Sequence, residues 1–385
     1  MNSDTNKGRR VGLFVDSLMG GGAERVALNF AAKFIEMGHD AHVFVLHPPI
    51  EHRVGSVPIH LVSEQERLAG WRPLNKWCYA RRIRALIRDI EADGKQFDFF
   101  ISNAEDSDRL TRMADLKPVF IRYRNSLVHF LKGKVGNARG FKRFIRKRRW
   151  LSKFRRIYSG HLVTVSKALE DELVNAVGLR PASITTIYNP FNFEQLRQLA
   201  DEPAALPTQP YIIYAARLTP RKRQDLLLRA YALADVKLPL VLLGGVSGPD
   251  GLAYESEIRK LAAELGIADR VIFEGFHQNP YPWIRNASLF AMASDSEGLP
   301  TVLIESLILR TPVVSTDCPT GPGEILTGEL ARFLSPVDDA AALAANMRAA
   351  LESYPPIADE HIERFRSEAV ILAYLSHFES LRSKH

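Results

Sequence analysis

Two successive series of short apolar runs, separated by segments of helical length, constrain the fold of this chain more than any other feature. The first series is "VGLFV" (11–15), "AHVFVL" (41–46), "FDFFIS" (97–102), "PVFIRY" (118–123), "HLVTVS" (161–166) and "ITTIYN" (184–189). The second is "YIIYAA" (211–216), "LPLVLLGG" (238–245), "RVIFEG" (270–275), "SLFAMAS" (288–294) and "TPVVST" (311–316). Runs that are apolar throughout suit strands covered on both faces, and helix-length connections between them imply parallel sheets. Two such series predict the α/β class, with two doubly wound domains. The seam falls at 189–210, which carries four prolines and no strand-like run. The expected organisation is a domain over 1–188, a linker over 189–210, a second domain over 211–360 and a helical pattern over 361–385. At 385 residues, each half can bury its own core.

Composition narrows the function classes. The start, "MNSDTNKGRR", is polar, and the apolar stretch after it is broken by Asp16, so neither a signal peptide nor a span of roughly 20 apolar residues is expected. Cys78 and Cys318 lie far apart and without metal-ligand spacing. A reducing cytoplasm is the expected location, with neither a disulfide framework nor a zinc site. The net charge of +7 is concentrated, because 132–156 holds twelve Lys or Arg and no acid.

Three motifs carry chemistry. In "SDSEGLPTVLIES" (294–306), Glu297 falls in the loop before a helix and Glu305 inside it, with Gly298, Leu299 and Pro300 at the helix start. At ~1.5 Å per helical residue the carboxylates stand on the order of 12 Å apart, about the length of a nucleotide-sugar. The free N–H groups of the helix start lie between them and suit a phosphate. Helix-dipole capping by Glu297 and a solvated Glu305 explain the same residues blandly. In "RLTPRKRQD" (217–225), Arg217 ends a strand and Lys222 follows five residues on. Cations there can stabilise charge building on a departing diphosphate, although a basic loop is also an ordinary solvated face. At the N-terminus, "MGGGAER" (19–25) places Gly20, Gly21 and Gly22 between a strand and a helix, where backbone can approach a phosphate or sugar. It is not the dinucleotide GxGxxG pattern.

Together "GGGAERVALNFA", "VTVSKAL", "AARLTPRKRQDLLLRAY", "EGLPTVLIES" and "TPVVSTDCPTGPGEIL" resemble the retaining glycosyltransferases of family 4, which have the GT-B fold, over about residues 11–335. The resemblance implies two facing Rossmann-like domains with a cleft between them, the acceptor mostly on the first and the nucleotide-sugar mostly on the second. It implies Arg217, Lys222 and Glu297 as the catalytic group, with Arg217 and Lys222 on the donor diphosphate and Glu297 at the donor sugar. Gly298, Leu299 and Pro300 would complete the nucleotide-sugar site, with Glu305 at the ribose. Gly21 and Gly22 would lie beside the phosphates, with Glu24 near the acceptor. The last helix, 361–385, would cross back onto the first domain.

The chain departs from the family in "VFIRYRNSLVHF" (119–130). Arg124 and Asn125 stand where many relatives carry a histidine to the donor sugar, and His129 follows four residues later. "DSD" (106–108) resembles the metal clip of the other large glycosyltransferase fold, but the cations at 217 and 222 make a metal redundant. No cofactor or metal is expected. His277 suits either a base pocket or a plain surface. The basic run interleaves Phe141, Phe144, Ile145, Trp150, Leu151 and Phe154, the pattern of an amphipathic helix for an anionic membrane surface. The expected protein is a cytoplasmic, peripherally membrane-associated glycosyltransferase using a UDP- or GDP-linked sugar. Its expected acceptor is a lipid-linked or lipopolysaccharide-core saccharide, with no nucleic-acid partner. The rivals are a sugar-nucleotide epimerase of similar architecture and a noncatalytic membrane- or nucleic-acid-binding protein.

Overall fold

The computed structural model describes residues 8–18, 22–50, 57–65, 72–103, 105–135 and 140–383. These form two compact units. The first takes in residues up to Val165, Leu169–Phe191 and everything from Phe365 on; the second comprises Ser166–Ala168 and Asn192–Arg364.

The first unit is built on a seven-stranded parallel sheet ordered β3-β2-β1-β4-β5-β6-β7. Its strands are β1 (Arg10–Val15), β2 (Asp40–Val45), β3 (Ile59–Leu61), β4 (Phe99–Ser102), β5 (Val119–Tyr123), β6 (His161–Thr164) and β7 (Ser183–Thr186). Central β1 pairs Val11 with Ala41 on one side and Phe99 on the other. Strand order reverses between β1 and β4, so the crevice beyond their carboxyl ends is the switch point where such sheets bind ligands. One face is covered by the helix Gly22–Glu36 and the last helix, Ser367–Arg382, whose Tyr374 meets Phe30 edge-on at 5.3 Å. On the other face, Phe14, Phe44 and Phe100 pack under the helix Arg72–Ile90, and Ile121 and Leu162 under the helix Gly140–Ile157.

The second unit has a six-stranded parallel sheet ordered β10-β9-β8-β11-β12-β13. Its strands are β8 (Ile212–Ala215), β9 (Leu240–Leu243), β10 (Val271–Gly275), β11 (Leu289–Met292), β12 (Val313–Thr316) and β13 (Leu334–Ser335). Its order reverses between β8 and β11, which pair Leu289 with Ile212. The eleven apolar runs all become strands; β3 and β13 are additional and short. The stretch read as a linker contains the helix Phe193–Ala200, capped by Asn192, whose side chain accepts from the Gln195 N–H at 2.9 Å.

Candidate active site

In the second unit, the turns leaving the two central strands carry the predicted donor residues. After β8 the chain runs through exposed Arg217 to a short helical turn, Pro220–Lys222. After β11 it passes Ser294 and Glu297 to the helix Thr301–Ile308, with Pro300 at its cap position. Because β8 and β11 are hydrogen-bonded neighbours, the two turns meet at the switch point. Lys222 Nζ forms an ion pair with Glu297 Oε1, and Arg221 reaches Glu297 Oε2 at 3.9 Å. Arg221 also donates to the Ser296 carbonyl at 3.1 Å, and the Asp295 N–H donates to the Arg221 carbonyl at 3.2 Å. Glu297 is buried, and these two cations are its ion-pair partners. Glu305 lies half-buried on the following helix, while Gly298, Leu299 and Pro300 are buried at its start.

Residues that the sequence reading did not single out hold these turns. Tyr214, on β8, donates to the Lys222 carbonyl at 3.0 Å and shares a hydrogen bond with Ser294 Oγ at 2.9 Å. Burial, with Glu297 nearby, raises its phenol pKa well above the ordinary value. Gln224 donates to the Arg217 carbonyl at 3.1 Å. The segment after β12 supports the other side. Thr316 donates to the Ser294 carbonyl at 2.6 Å, and Thr320 donates to the Glu297 carbonyl. Gly321, at φ +103°, lies so close that a Cβ would stand 2.5 Å from Pro300 Cδ and 3.1 Å from Leu299 Cα. That glycine is fixed both by its backbone and by its neighbours. Cys318 is buried and unbridged beside Glu297, which together with desolvation pushes its thiol up to about 12. It is no nucleophile at neutral pH.

The first unit places the other predicted residues at the carboxyl end of its sheet. Gly20 and Gly21 lie outside the described residues. Gly22 begins the helix that carries Glu24 in its first turn, where Ser17 Oγ donates to Glu24 Oε1 at 3.2 Å. Arg124, just after β5, is half-buried and donates to the Asn103 carbonyl, while Asn125 is exposed. Beside them Arg122 is fully buried, donating to Asn103 Oδ1 at 2.7 Å and Asn189 Oδ1 at 2.5 Å. His129 is exposed. His277 is half-buried against Trp283, at 5.2 Å between rings, and Glu274, at 3.2 Å.

"DSD" falls in the helix Glu105–Met113, where Asp106 is exposed and Asp108 is buried, accepting from Ser102 Oγ at 2.5 Å. Desolvation raises Asp108 to about 8, so at neutral pH it is largely uncharged and poorly suited to a cation. Among the described residues, no three His, Cys, Asp or Glu side chains come together as a metal site.

The basic run is two helices, Leu127–Val135 and Gly140–Ile157, rather than one. Phe141, Phe144 and Ile145 are exposed, at 75, 54 and 43%. Phe154 is buried, with Trp150 and Leu151 packed against the same core, so these three belong to the fold and not to an outer apolar face. Among the described residues, no helix is long and apolar enough to cross a membrane.

Two parallel-sheet Rossmann-like units give the chain the two-domain α/β GT-B fold. Residues 20–195 match the family model "Glycosyltransferase Family 4" and residues 197–369 match "Glycosyl transferases group 1". Both matches are to glycosyltransferase models, one on each half of the chain. A relative from Campylobacter jejuni, N-acetylgalactosamine-N,N'-diacetylbacillosaminyl-diphospho-undecaprenol 4-alpha-N-acetylgalactosaminyltransferase, is 26% identical over 350 residues, covering 89% of this chain and 90% of the relative. The lipopolysaccharide 1,6-galactosyltransferase of Escherichia coli is 29% identical over 172 residues, covering 43% of this chain and 45% of that protein. Among solved structures, Anabaena HepE in complex with UDP and glucose shares the fold at TM-score 0.69 and 17% identity, covering 97% of this chain and 100% of that one.

Proposed function

We propose that this protein is a retaining, metal-independent glycosyltransferase that moves a sugar from a UDP- or GDP-linked donor to a lipid-linked or lipopolysaccharide-core saccharide. The observation that carries the donor half is the pairing of Lys222 with Glu297 across the turns that follow the neighbouring strands β8 and β11. As the glycosidic bond breaks, negative charge gathers on the leaving β-phosphate. Arg217 and Lys222 stabilise that charge from fixed positions and contribute most in the transition state. Lys222, ion-paired with Glu297 in the free protein, is then shared between carboxylate and phosphate. Glu297 accepts a hydrogen bond from the donor sugar, and Glu305 accepts from the ribose hydroxyls. Glu24, in the first turn of the helix Gly22–Glu36, binds the acceptor. The names of the Campylobacter and Escherichia coli relatives favour an acceptor carried on lipid. The basic helices hold the enzyme peripherally on an anionic, cytoplasm-facing membrane.

The test combines a panel of UDP- and GDP-sugars with a diphospholipid-linked saccharide and follows nucleoside diphosphate release, then the product's anomeric coupling by proton NMR. One donor should release nucleoside diphosphate and yield a product with the donor's anomeric configuration. An inverted product would overturn retention. Isomerised sugar-nucleotide with no transfer would make the protein an epimerase.

A further inference from the structure

The first unit carries two adjoining cavities beside its sheet, one of which reaches the amino ends of β5 and β6. One, of about 670 Å³, has apolar walls that include Leu116, Val119, Ile121, Ile157, Phe378 and Leu381. The other, of about 550 Å³, is lined by Lys76, Arg109, Arg112, Lys153 and Arg156. Arg112 and Ile157 belong to both, so the apolar chamber opens beside the basic one. Both volumes fall within the usual range of small-ligand sites.

Charge around the pair is lopsided. Facing the five cations are Glu105, 3.0 Å from Lys153 and 3.6 Å from Arg109, and Asp106, 3.8 Å from Arg109. At the rim of the apolar chamber Asp115 pairs with Lys117 at 2.9 Å, while Arg382 lies 3.7 Å from Glu379. Asp108 is buried in the wall and hydrogen-bonded to Ser102, and His161 shares a hydrogen bond with Ser183 at 2.9 Å. The excess is positive, and it stands at one end of an apolar space.

We propose that this pair of cavities binds one molecule of an anionic phospholipid, with an acyl chain in the apolar chamber and the phosphodiester between Arg112 and Arg156. The cluster of Leu116, Val119, Ile121, Ile157, Phe378 and Leu381 suits an acyl chain better than a sugar or a nucleotide, and the basic chamber favours an anionic headgroup over a neutral one. Val119 and His161 are the first residues of β5 and β6, so the lipid sits at the opposite end of the sheet from Glu24 and Arg124 and does not compete there. The site goes beyond surface attraction of the basic helices, because it takes a single lipid from solution.

Gly160 lines the apolar chamber, and a Cβ added there meets nothing within 4 Å. Gly160→Phe therefore fills the chamber, while exposed Arg112→Gln removes a cation without touching the core. The probe is dihexanoyl phosphatidylglycerol below its micelle concentration, titrated by calorimetry beside dihexanoyl phosphatidylcholine and inorganic phosphate. Saturable binding of the glycerol lipid is expected, with the choline lipid weaker. Arg112→Gln should weaken it about tenfold, the size of one lost charge-assisted hydrogen bond. Gly160→Phe should abolish it with circular dichroism unchanged, and Arg146, Lys147, Arg148 and Arg149 replaced together by Gln should leave it intact. No saturable lipid binding, equal binding of both lipids, or retention in both Gly160→Phe and Arg112→Gln would each overturn the proposal. Should Gly160→Phe not fold, an unchanged affinity in Arg112→Gln is alone sufficient to overturn it. Nucleoside diphosphate release, which depends on the second unit, reports separately on the transferase reading.

Discussion

Lys222→Met separates what the ion pair does for the fold from what Lys222 does for the reaction. Lys222 and Glu297 have side chains only 17 and 8% exposed. Removing the lysine leaves a buried carboxylate whose remaining cation, Arg221, stands 3.9 Å away. Breaking a buried pair in this way costs ~3–5 kcal/mol, and the residual Arg221 contact argues for the lower end, about 3. For a domain the size of the second unit, this is a fall of roughly 6–12 °C in melting temperature. Glu297→Gln should cost less, about 1 kcal/mol, because the long lysine side chain can turn its ammonium to water. The double variant leaves no buried charge unpaired, so it should recover part of the loss, with a coupling of about 2 kcal/mol. Its donor turnover should nevertheless stay ~10²–10³ below wild type, since the cation on the leaving phosphate is still missing. Differential scanning calorimetry and nucleoside diphosphate release on all four proteins complete the cycle. Wild-type melting in Lys222→Met, or wild-type turnover in the double variant, would refute the reasoning.

Arg217→Ala should depress turnover more than donor affinity, whereas Glu305→Gln should weaken nucleotide binding, as titration calorimetry and steady-state kinetics will report. Activity in excess chelator should remain within a few-fold of the untreated enzyme; abolition restored by Mg²⁺ or Mn²⁺ would refute metal independence. Exchanging Arg146, Lys147, Arg148 and Arg149 for Gln should release the protein from anionic vesicles in a sedimentation assay while donor hydrolysis survives, since each cation near such a surface is worth ~1 kcal/mol. Asp108, raised to about 8, holds a proton in the folded chain that the unfolded chain gives up near its ordinary value of 3.8. Stability should therefore fall as pH rises from 3.8 towards about 8 and level off above it, and Asp108→Asn should flatten that fall in urea titrations.

The strands were legible because a sheet covered on both faces needs side chains that are apolar on both, as "LVLL" of β9 and "LFAM" of β11 show. The strands that escaped notice, "IHL" of β3 and "LS" of β13, are edge strands of three and two residues, too short to set a pattern. The helix Phe193–Ala200 hid between prolines, although Asn192 as its cap and buried Phe193, Leu196 and Ala200 spell one apolar face. The basic helix misled differently. Its sequence shows charge and aromatics together, but not that Trp150 and Phe154 face Phe130 inside the unit while Phe141 and Phe144 stay outside. That the two motifs follow strand ends could be read from the sequence alone. The ion pair that joins them could not, because Lys222 and Glu297 lie 75 positions apart and meet only through the pairing of β8 with β11. Tyr214 and Thr320 gave no signal for the same reason.

The central claim is that the second unit's switch point holds a nucleoside diphosphate-sugar, and hydrogen exchange with saturating UDP and GDP measures this most directly. Peptides spanning 217–224 and 297–308 should gain protection with one of the two nucleotides. That protection should shrink in Glu305→Gln, while the strands β1 to β7 stay unchanged. Saturable nucleotide binding with no added protection in either peptide, or with protection confined to other segments, would contradict the account.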